Sequence, residues 1–214
     1  MISTALSTAH AGRYLTATAS VRSNGLVRHF LQDREIYREG GDSGVFFTVV
    51  SGMVRTCKSR NDGRRQIDAF YVPGDVFGFE AGLEQSLSAE AVSDCTVTSH
   101  RWHGLAATYD GVPHYLFSHA MRGLARAQEH ALLLGRQSAV EKVAAFLLDQ
   151  AGQSPDPQVI NLEMIRQDIA DYLGLTHETI SRTLSRLERA SLIRLTTARQ
   201  IHLLDFAGLQ SIRD

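Results

Sequence analysis

Residues 174–182, GLTHETISR, place three side chains with complementary hydrogen-bonding chemistry at helical spacing. Glu178 can accept hydrogen bonds, Ser181 can donate and accept, and Arg182 can donate two parallel bonds. Positions three and four apart share one face of a helix. Such a face could contact base edges, because arginine donates to guanine O6 and N7 and glutamate accepts from cytosine N4, or less stringently from adenine N6. The alternative is an exposed Glu178–Arg182 ion pair worth ~0.3–0.5 kcal/mol.

The segments around these residues have the pattern of a winged helix-turn-helix. Gly174 allows a sharp turn between two predicted helices, and Thr176 can cap the second one. A β-hairpin is predicted by LIRLTTARQIHLL at residues 192–204, which has two apolar runs around a polar tip. Helix, short turn, helix and hairpin together are much more specific than any one part. Apolar residues line the first helix at Ile165, Ile169, Ala170 and Leu173, and the second at Ile180, Leu184 and Leu187.

With the second stripe buried, the opposite face of that helix is presented to solvent. A recognition helix contacts base edges through its N-terminal residues, which here are Glu178, Ser181 and Arg182. A carboxylate is repelled by phosphate, so Glu178 at this position favours a base contact. The surrounding polar residues are predicted to contact the DNA backbone, namely Arg166, Thr176, His177, Thr179, Thr183, Arg186 and Arg199.

The N-terminal half has a β pattern from about residue 34 to residue 102. Short runs rich in Val, Phe, Thr and Ile flank Asn61-Asp62-Gly63, a strong hairpin signal, and another turn follows at Pro73-Gly74. The stretch LSAEAVSDCTVTSH, residues 87–100, predicts a later pair of strands. Several short strands separated by turns indicate a sandwich or barrel.

A long helix is predicted between the two halves. Its apolar positions step by three and four, which suits a seam between two helices of a dimer. The alternative is a helix that packs on its own β domain, and both can hold on different faces. The predicted seam is Leu116, Ala120, Leu124, Ala127, Ala131 and Leu134. Ser138 and Glu141 then have the spacing of a capping box, and residues 152–158, GQSPDPQ, predict a linker loop.

Composition is that of an ordinary globular protein, with 214 residues, 43% hydrophobic residues and a formal net charge of −1. The chain has no stretch of the ~18 apolar residues that a membrane span needs and no secretory signal pattern. Its two cysteines, Cys57 and Cys95, are far apart in sequence, which favours reduced thiols. We therefore expect a cytoplasmic protein that does not associate with membranes.

These motifs resemble those of the cyclic-AMP-receptor and fumarate–nitrate-reductase (CRP/FNR) regulator superfamily. The resemblance is strongest in IRQDIADYLGLTHETISRTLSRLERASLI, residues 165–193, and extends to LGRQSAVEKVAAFLLDQ and GDVFG. The arrangement Glu178-x-x-Ser181-Arg182 is similar to the anaerobic branch, whose members bind TTGA-type half-sites, and the FixK-type regulators of rhizobia resemble the chain most. The resemblance implies a transcription regulator, an activator in nitrogen fixation, that binds palindromic double-stranded DNA as a homodimer.

The implied fold is α+β. It comprises an N-terminal tail (1–22), a β-roll like that of cyclic-nucleotide-binding proteins (23–108), a dimerisation helix (109–136) and a winged helix-turn-helix domain (137–214). The resemblance also implies contacts with RNA polymerase, for which we consider the loops at residues 58–66 and 152–160.

The chain departs from the ligand-binding members of this superfamily. Glu80 is present, but no arginine lies between Arg65 and Arg101, so a cyclic phosphate would lack its bidentate partner. Residues 1–30 contain no cysteine, which argues against an iron–sulfur cluster. Cys57 and His100 are the only loose candidates for haem ligands. We therefore expect no cofactor and no cyclic nucleotide; a ligand- or haem-gated repressor of the same fold is the alternative.

Catalysis is not expected. A metal-dependent cupin would need histidines and a carboxylate clustered inside its barrel. In the β region only His100 and His103 are close in sequence, and their spacing does not place both inward along a strand. The sequence also lacks a G-x-S-x-G motif.

Overall fold

The computed structural model describes residues 25–59, 63–80, 82–101, 114–136 and 138–213. Its N-terminal part is a β-roll of two antiparallel four-stranded sheets, ordered β1-β8-β3-β6 and β2-β7-β4-β5. The strands are β1 (Leu26–Phe30), β2 (Glu35–Tyr37), β3 (Val45–Ser51), β4 (Val54–Ser59), β5 (Arg65–Tyr71), β6 (Val76–Phe77), β7 (Ser88–Ala91) and β8 (Cys95–Arg101). The predicted tail, residues 1–22, lies outside the described residues.

The β4–β5 hairpin is confirmed, with antiparallel pairing from Val54–Tyr71 to Ser59–Arg65. Gly63 at the turn has φ +78°, which suits glycine, while residues 60–62 are not among those described. The predicted later pair of strands is wrong in one respect. Both β7 and β8 form, but β7 pairs with β2 and β4, whereas β8 pairs with β1 and β3 in the other sheet.

Two helices follow the β-roll, α1 (His114–Leu134) and α2 (Ala139–Gln153). Ser138 caps α2 as predicted, because its Oγ accepts from the Glu141 backbone N–H at 3.2 Å and lies 2.7 Å from Glu141 Oε1. The helix continues to Gln153, so it occupies the start of the predicted linker.

The C-terminal unit contains β9 (Val159–Asn161), α3 (Arg166–Leu173), α4 (His177–Arg189), β10 (Ile193–Leu195), β11 (Gln200–Leu203) and α5 (Phe206–Arg213). The predicted hairpin is β10–β11, and β9 adds a third strand to it. Residues 159 and 160 were predicted to lie in a loop but belong to β9, because three residues are too few to show a period. Ile165 was predicted to line the first helix, but it precedes α3 and is 44% exposed.

Candidate DNA-binding surface

The turn between α3 and α4 depends on one left-handed residue. Gly174 ends α3 with φ +65° and ψ +36°, a conformation that residues with a Cβ rarely adopt. The Leu175 N–H donates to Ala170 O at 2.9 Å, which closes the end of α3. Thr176 then caps α4, because its Oγ1 accepts from the Thr179 N–H at 3.1 Å. These bonds fix the direction in which α4 leaves the turn.

Helix α4 buries one stripe and exposes the other side. The predicted stripe of Ile180, Leu184 and Leu187 is confirmed, and each of these residues is at most 2% exposed. Thr183 belongs to the same stripe at 6% exposure. Its predicted DNA contact is therefore wrong, because position 183 lies three residues after Ile180 and four before Leu187 and faces the core with them.

The three predicted base contacts lie on the opposite side of α4. Arg182 and Glu178 are 79% and 70% exposed, and Ser181 is half-buried beside them. In this structure Arg182 Nη2 donates to Glu178 Oε1 at 2.5 Å, so the ion pair considered in the sequence analysis is formed. Exposed pairs of this kind are weak, so both groups remain free to exchange this partner for a base.

Basic side chains continue along this face. Ser181, Arg182, Ser185, Arg186 and Arg189 line one concave surface, which gives it three guanidinium groups. Arg189 was missed in the sequence analysis, although its position seven residues after Arg182 places it on the same helix face. The remaining predicted backbone contacts are exposed or half-buried, namely Arg166, Thr176, His177, Thr179 and Arg199.

Helix α1 presents an apolar stripe that differs from the predicted seam at both ends. Leu116 is 1% exposed because it packs with Phe46 and Val76 of the β-roll, so it is not available to a partner. Leu134 is half-buried because it lies against the turn at Gly174. A Cβ added to Gly174 would be 3.6 Å from Leu134 Cδ2. The exposed apolar and small residues on α1 at stripe spacing are Phe117, Ala120, Met121, Leu124, Ala127 and Ala131.

The β-roll interior is filled by aromatic rings from both sheets. Phe47 and Phe77 are buried with centroids 5.3 Å apart, and Tyr37 and Tyr71 pack on them at 5.2–6.2 Å. No group of three or more metal-ligating side chains occurs among the residues that the structure describes.

The loose haem candidates occupy ordinary core positions. Cys57 is buried in β4, and burial raises its pKa to about 11. His100 stacks on Phe46 at 4.9 Å, and its Nε2 lies 3.3 Å from Thr48 Oγ1. His103 lies outside the described residues. Within the described part of the chain, no helix is both long and apolar enough for a membrane crossing.

Comparisons with known proteins identify both halves. The model of the Crp-like helix-turn-helix domain matches residues 141–212, and that of the cyclic nucleotide-binding domain matches residues 27–108. The nitrogen fixation regulation protein FixK of Rhizobium meliloti is 41% identical over 187 residues, which cover 87% of each chain. FixK of Azorhizobium caulinodans is 44% identical over 191 residues, or 86% of this chain and 77% of the relative.

A solved structure agrees with these relatives. FixK2 from Bradyrhizobium japonicum superposes with a TM-score of 0.82 at 39% identity, and the match covers 89% of this chain and 98% of that one. The fold predicted from the sequence is thereby confirmed. These relatives are DNA-binding regulators rather than enzymes, and this chain has the corresponding parts: a β-roll, an exposed helix α4 and a winged sheet beside it. The chain belongs to the FixK-type branch of the CRP/FNR family of transcription regulators.

Proposed function

We propose that this regulator binds a palindromic TTGA-type DNA site as a homodimer and activates transcription without a cyclic nucleotide. The observation that carries the proposal is the exposed face of α4, where Glu178, Ser181 and Arg182 lie on the side of the helix opposite the buried stripe. An α-helix enters the major groove with its N-terminal residues towards the bases. Arg182 then donates to guanine, while Glu178 accepts from the neighbouring cytosine or adenine.

The backbone contacts surround this pair. Arg186 and Arg189 lie farther along the same concave surface, where cations attract phosphate without distinguishing bases. Arg199 lies at the turn between β10 and β11, which supports a further backbone contact from the wing. The N-terminus of α4 is the positive end of the helix dipole, which favours an anion near Thr176 and His177.

The homodimer forms through the exposed stripe of α1. Phe117, Met121 and Leu124 are each about half exposed in the single chain, which is unusual for apolar side chains that follow one helix face. The alanines at positions 120, 127 and 131 allow a second copy of α1 to approach closely. A parallel pair places two α4 helices for half-sites whose centres are about 34 Å apart, one turn of DNA.

The absence of cyclic-nucleotide control rests on two features of the β-roll. The interior is occupied by stacked rings of Tyr37, Phe47 and Phe77, and no arginine follows Arg65 until Arg101. A buried cyclic phosphate would need a cationic partner with two aligned donors. The match to a cyclic nucleotide-binding domain is a match of fold, and function depends on the residues within it.

Two surfaces are candidates for contact with RNA polymerase. The loop at residues 152–160 borders a groove of about 510 Å³ lined by Asp156, Pro157, Gln158, Leu203, Leu204 and Phe206. The second candidate is the segment 58–66, which runs from the end of β4 to the start of β5 and includes residues 60–62 outside the described part, although Arg65 is already bound within the chain. The FixK relatives are named as regulators of nitrogen fixation, and we extend this role, in the cytoplasm, to the present chain.

The test is selection of bound duplexes from a randomised pool, with the molar mass of the free protein measured by light scattering. We expect enrichment of two inverted TTGA-type half-sites and the mass of a dimer. Enrichment of a single unpaired half-site, or no enrichment over the starting pool, would overturn the proposal.

A further inference from the structure

The first helix of the helix-turn-helix is attached to the β-roll by buried charges. Arg55 of β4 and Asp168 of α3 are 5% and 2% exposed, and Arg55 Nη1 donates to both Asp168 carboxylate oxygens at 3.0 and 3.1 Å. Burial alone would lower the pKa of Arg55, but its hydrogen bond to Glu90 and the charge of Asp168 raise it above its ordinary value. The guanidinium therefore stays charged inside the interface.

A second arginine of the β-roll also bonds to helix α3. Arg65 Nη2 lies 2.6 Å from Asp168 Oδ1 and its Nε donates to Asp171 Oδ2 at 3.1 Å, so it bonds two carboxylates of α3. On the β-roll side Glu90 Oε2 accepts from Arg55 Nε at 2.9 Å and from Arg65 Nη1 at 3.0 Å. We call Arg55, Arg65, Glu90, Asp168 and Asp171 the interdomain cluster.

Aromatic packing beside the cluster joins the same helix to α1. The rings of Tyr172 and His130 are parallel within 1° with centroids 4.0 Å apart, and His130 Nε2 lies 2.8 Å from Tyr172 O. Phe70 of β5 also packs against Tyr172, with ring centroids 5.3 Å apart. Gln66 Nε2 also donates to Tyr172 O at 3.3 Å. Helix α3 is thus held by both the β-roll and the helix that we assign to the dimer.

Charged hydrogen bonds constrain direction more than they stabilise. Desolvation offsets much of the attraction in a buried ion pair, whereas its hydrogen bonds require aligned planar groups. Helix α4 is joined to α3 through the Gly174 turn and their shared core, so the orientation of α3 determines where the exposed face of α4 points.

We propose that the interdomain cluster positions the two α4 helices of the dimer and thereby sets the half-site spacing that the protein accepts. This inference rests on the proposed dimer and its palindromic site. One inserted base pair moves a half-site by about 3.4 Å and rotates it by about 35°. Following that movement would require the helix-turn-helix to turn on the β-roll, which would break the bonds between Arg65 and the two aspartates.

The experiment compares Arg65→Gln with Lys58→Gln in the full-length protein. Lys58 is a matched control for DNA binding because it lies on the same hairpin and pairs with Glu39 of the β-roll at 2.9 Å, and the titrations contain no RNA polymerase. Each protein is titrated with three duplexes. The first carries two inverted TTGA-type half-sites, the second is the same duplex lengthened by one central base pair, and the third carries a single half-site. We expect the inserted base pair to lower the DNA affinity of wild type and of Lys58→Gln by about tenfold or more. It should lower the DNA affinity of Arg65→Gln by about threefold or less.

Two further readouts separate positioning from other roles of Arg65. Affinity for the single half-site and the salt slope should match wild type, because Arg65 is assigned no phosphate contact. If Arg65→Gln lowers the salt slope by about 1, Arg65 is a DNA contact. If Arg65→Gln is weakened by the inserted base pair as much as wild type and unfolds at a lower temperature, Arg65 only stabilises the fold. Either result overturns the proposal.

A measurement without DNA keeps the inference separate from the proposed function. Spin labels are attached at Leu83→Cys on the β-roll, where the residue is 90% exposed, and at Ala207→Cys on α5. An excess of unlabelled protein is added so that the measured distance is the one between the two labels of a single chain. We expect a narrow distance distribution that becomes broad when Arg65→Gln is added; an unchanged distribution overturns the inference. If wild type binds no palindromic duplex, the proposed function fails while this distribution still tests the cluster.

Discussion

Replacement of Arg182 by alanine should separate base recognition from a surface ion pair. In the free protein the change removes an exposed i,i+4 pair with Glu178, so it should cost at most about 0.5 kcal/mol of folding free energy. On DNA it should cost about 1–3 kcal/mol for each guanine contact. A dimer loses two such contacts, or about 2–6 kcal/mol, which weakens binding by about 30-fold to about 2 × 10⁴-fold.

The assay is a matrix of affinities for wild type, Arg182→Ala and Arg186→Ala against duplexes changed at each half-site position. Arg182→Ala should lose its preference at one guanine while keeping the others. Arg186→Ala should weaken all duplexes about equally and lower the salt slope by about 1 for each half-site, because a phosphate contact releases a counterion. If Arg182→Ala weakens every duplex by the same factor, Arg182 contacts the backbone and our assignment of the base-contacting face is wrong.

Leu124→Lys should give a monomer by light scattering, because a side chain that is 51% exposed in one chain would become a buried charge at the seam; Glu129→Lys, on another face, should leave the dimer intact. Cyclic AMP should change neither the heat of mixing nor operator affinity, and a micromolar isotherm would contradict this. Cys57 and Cys95 should resist thiol reagents near neutral pH until the protein unfolds, because both are buried with pKa values of about 11. Since folding raises both pKa values, protonated thiols stabilise the folded state. This contribution should be complete below the ordinary cysteine pKa of 9.0 and lost as the pH rises towards 11, as measured by urea unfolding.

The sequence alone determines much of the recognition helix. Ile180, Leu184 and Leu187 recur at helical spacing, and burying that stripe leaves Glu178 and Arg182 on the outside whatever the rest of the fold does. Local rules also predict the capped start of α2 and the β4–β5 hairpin, because each depends on residues a few positions apart. The same period includes Thr183, but a polar residue beside an apolar stripe is easily assigned to the wrong side.

Only the tertiary structure decided which apolar residues of α1 are already covered. Leu116 and Phe117 are neighbours of similar hydrophobicity, and the β-roll buries the first while leaving the second 57% exposed. The pairing of β7 and β8 with different partners is likewise set by sheets that neither strand's own pattern identifies. The interdomain cluster is the clearest case, because Arg55 and Asp168 are 113 residues apart and adopt their bonding geometry only when two domains meet. Periodicity describes a single element's faces, whereas contacts between elements depend on how the whole chain packs.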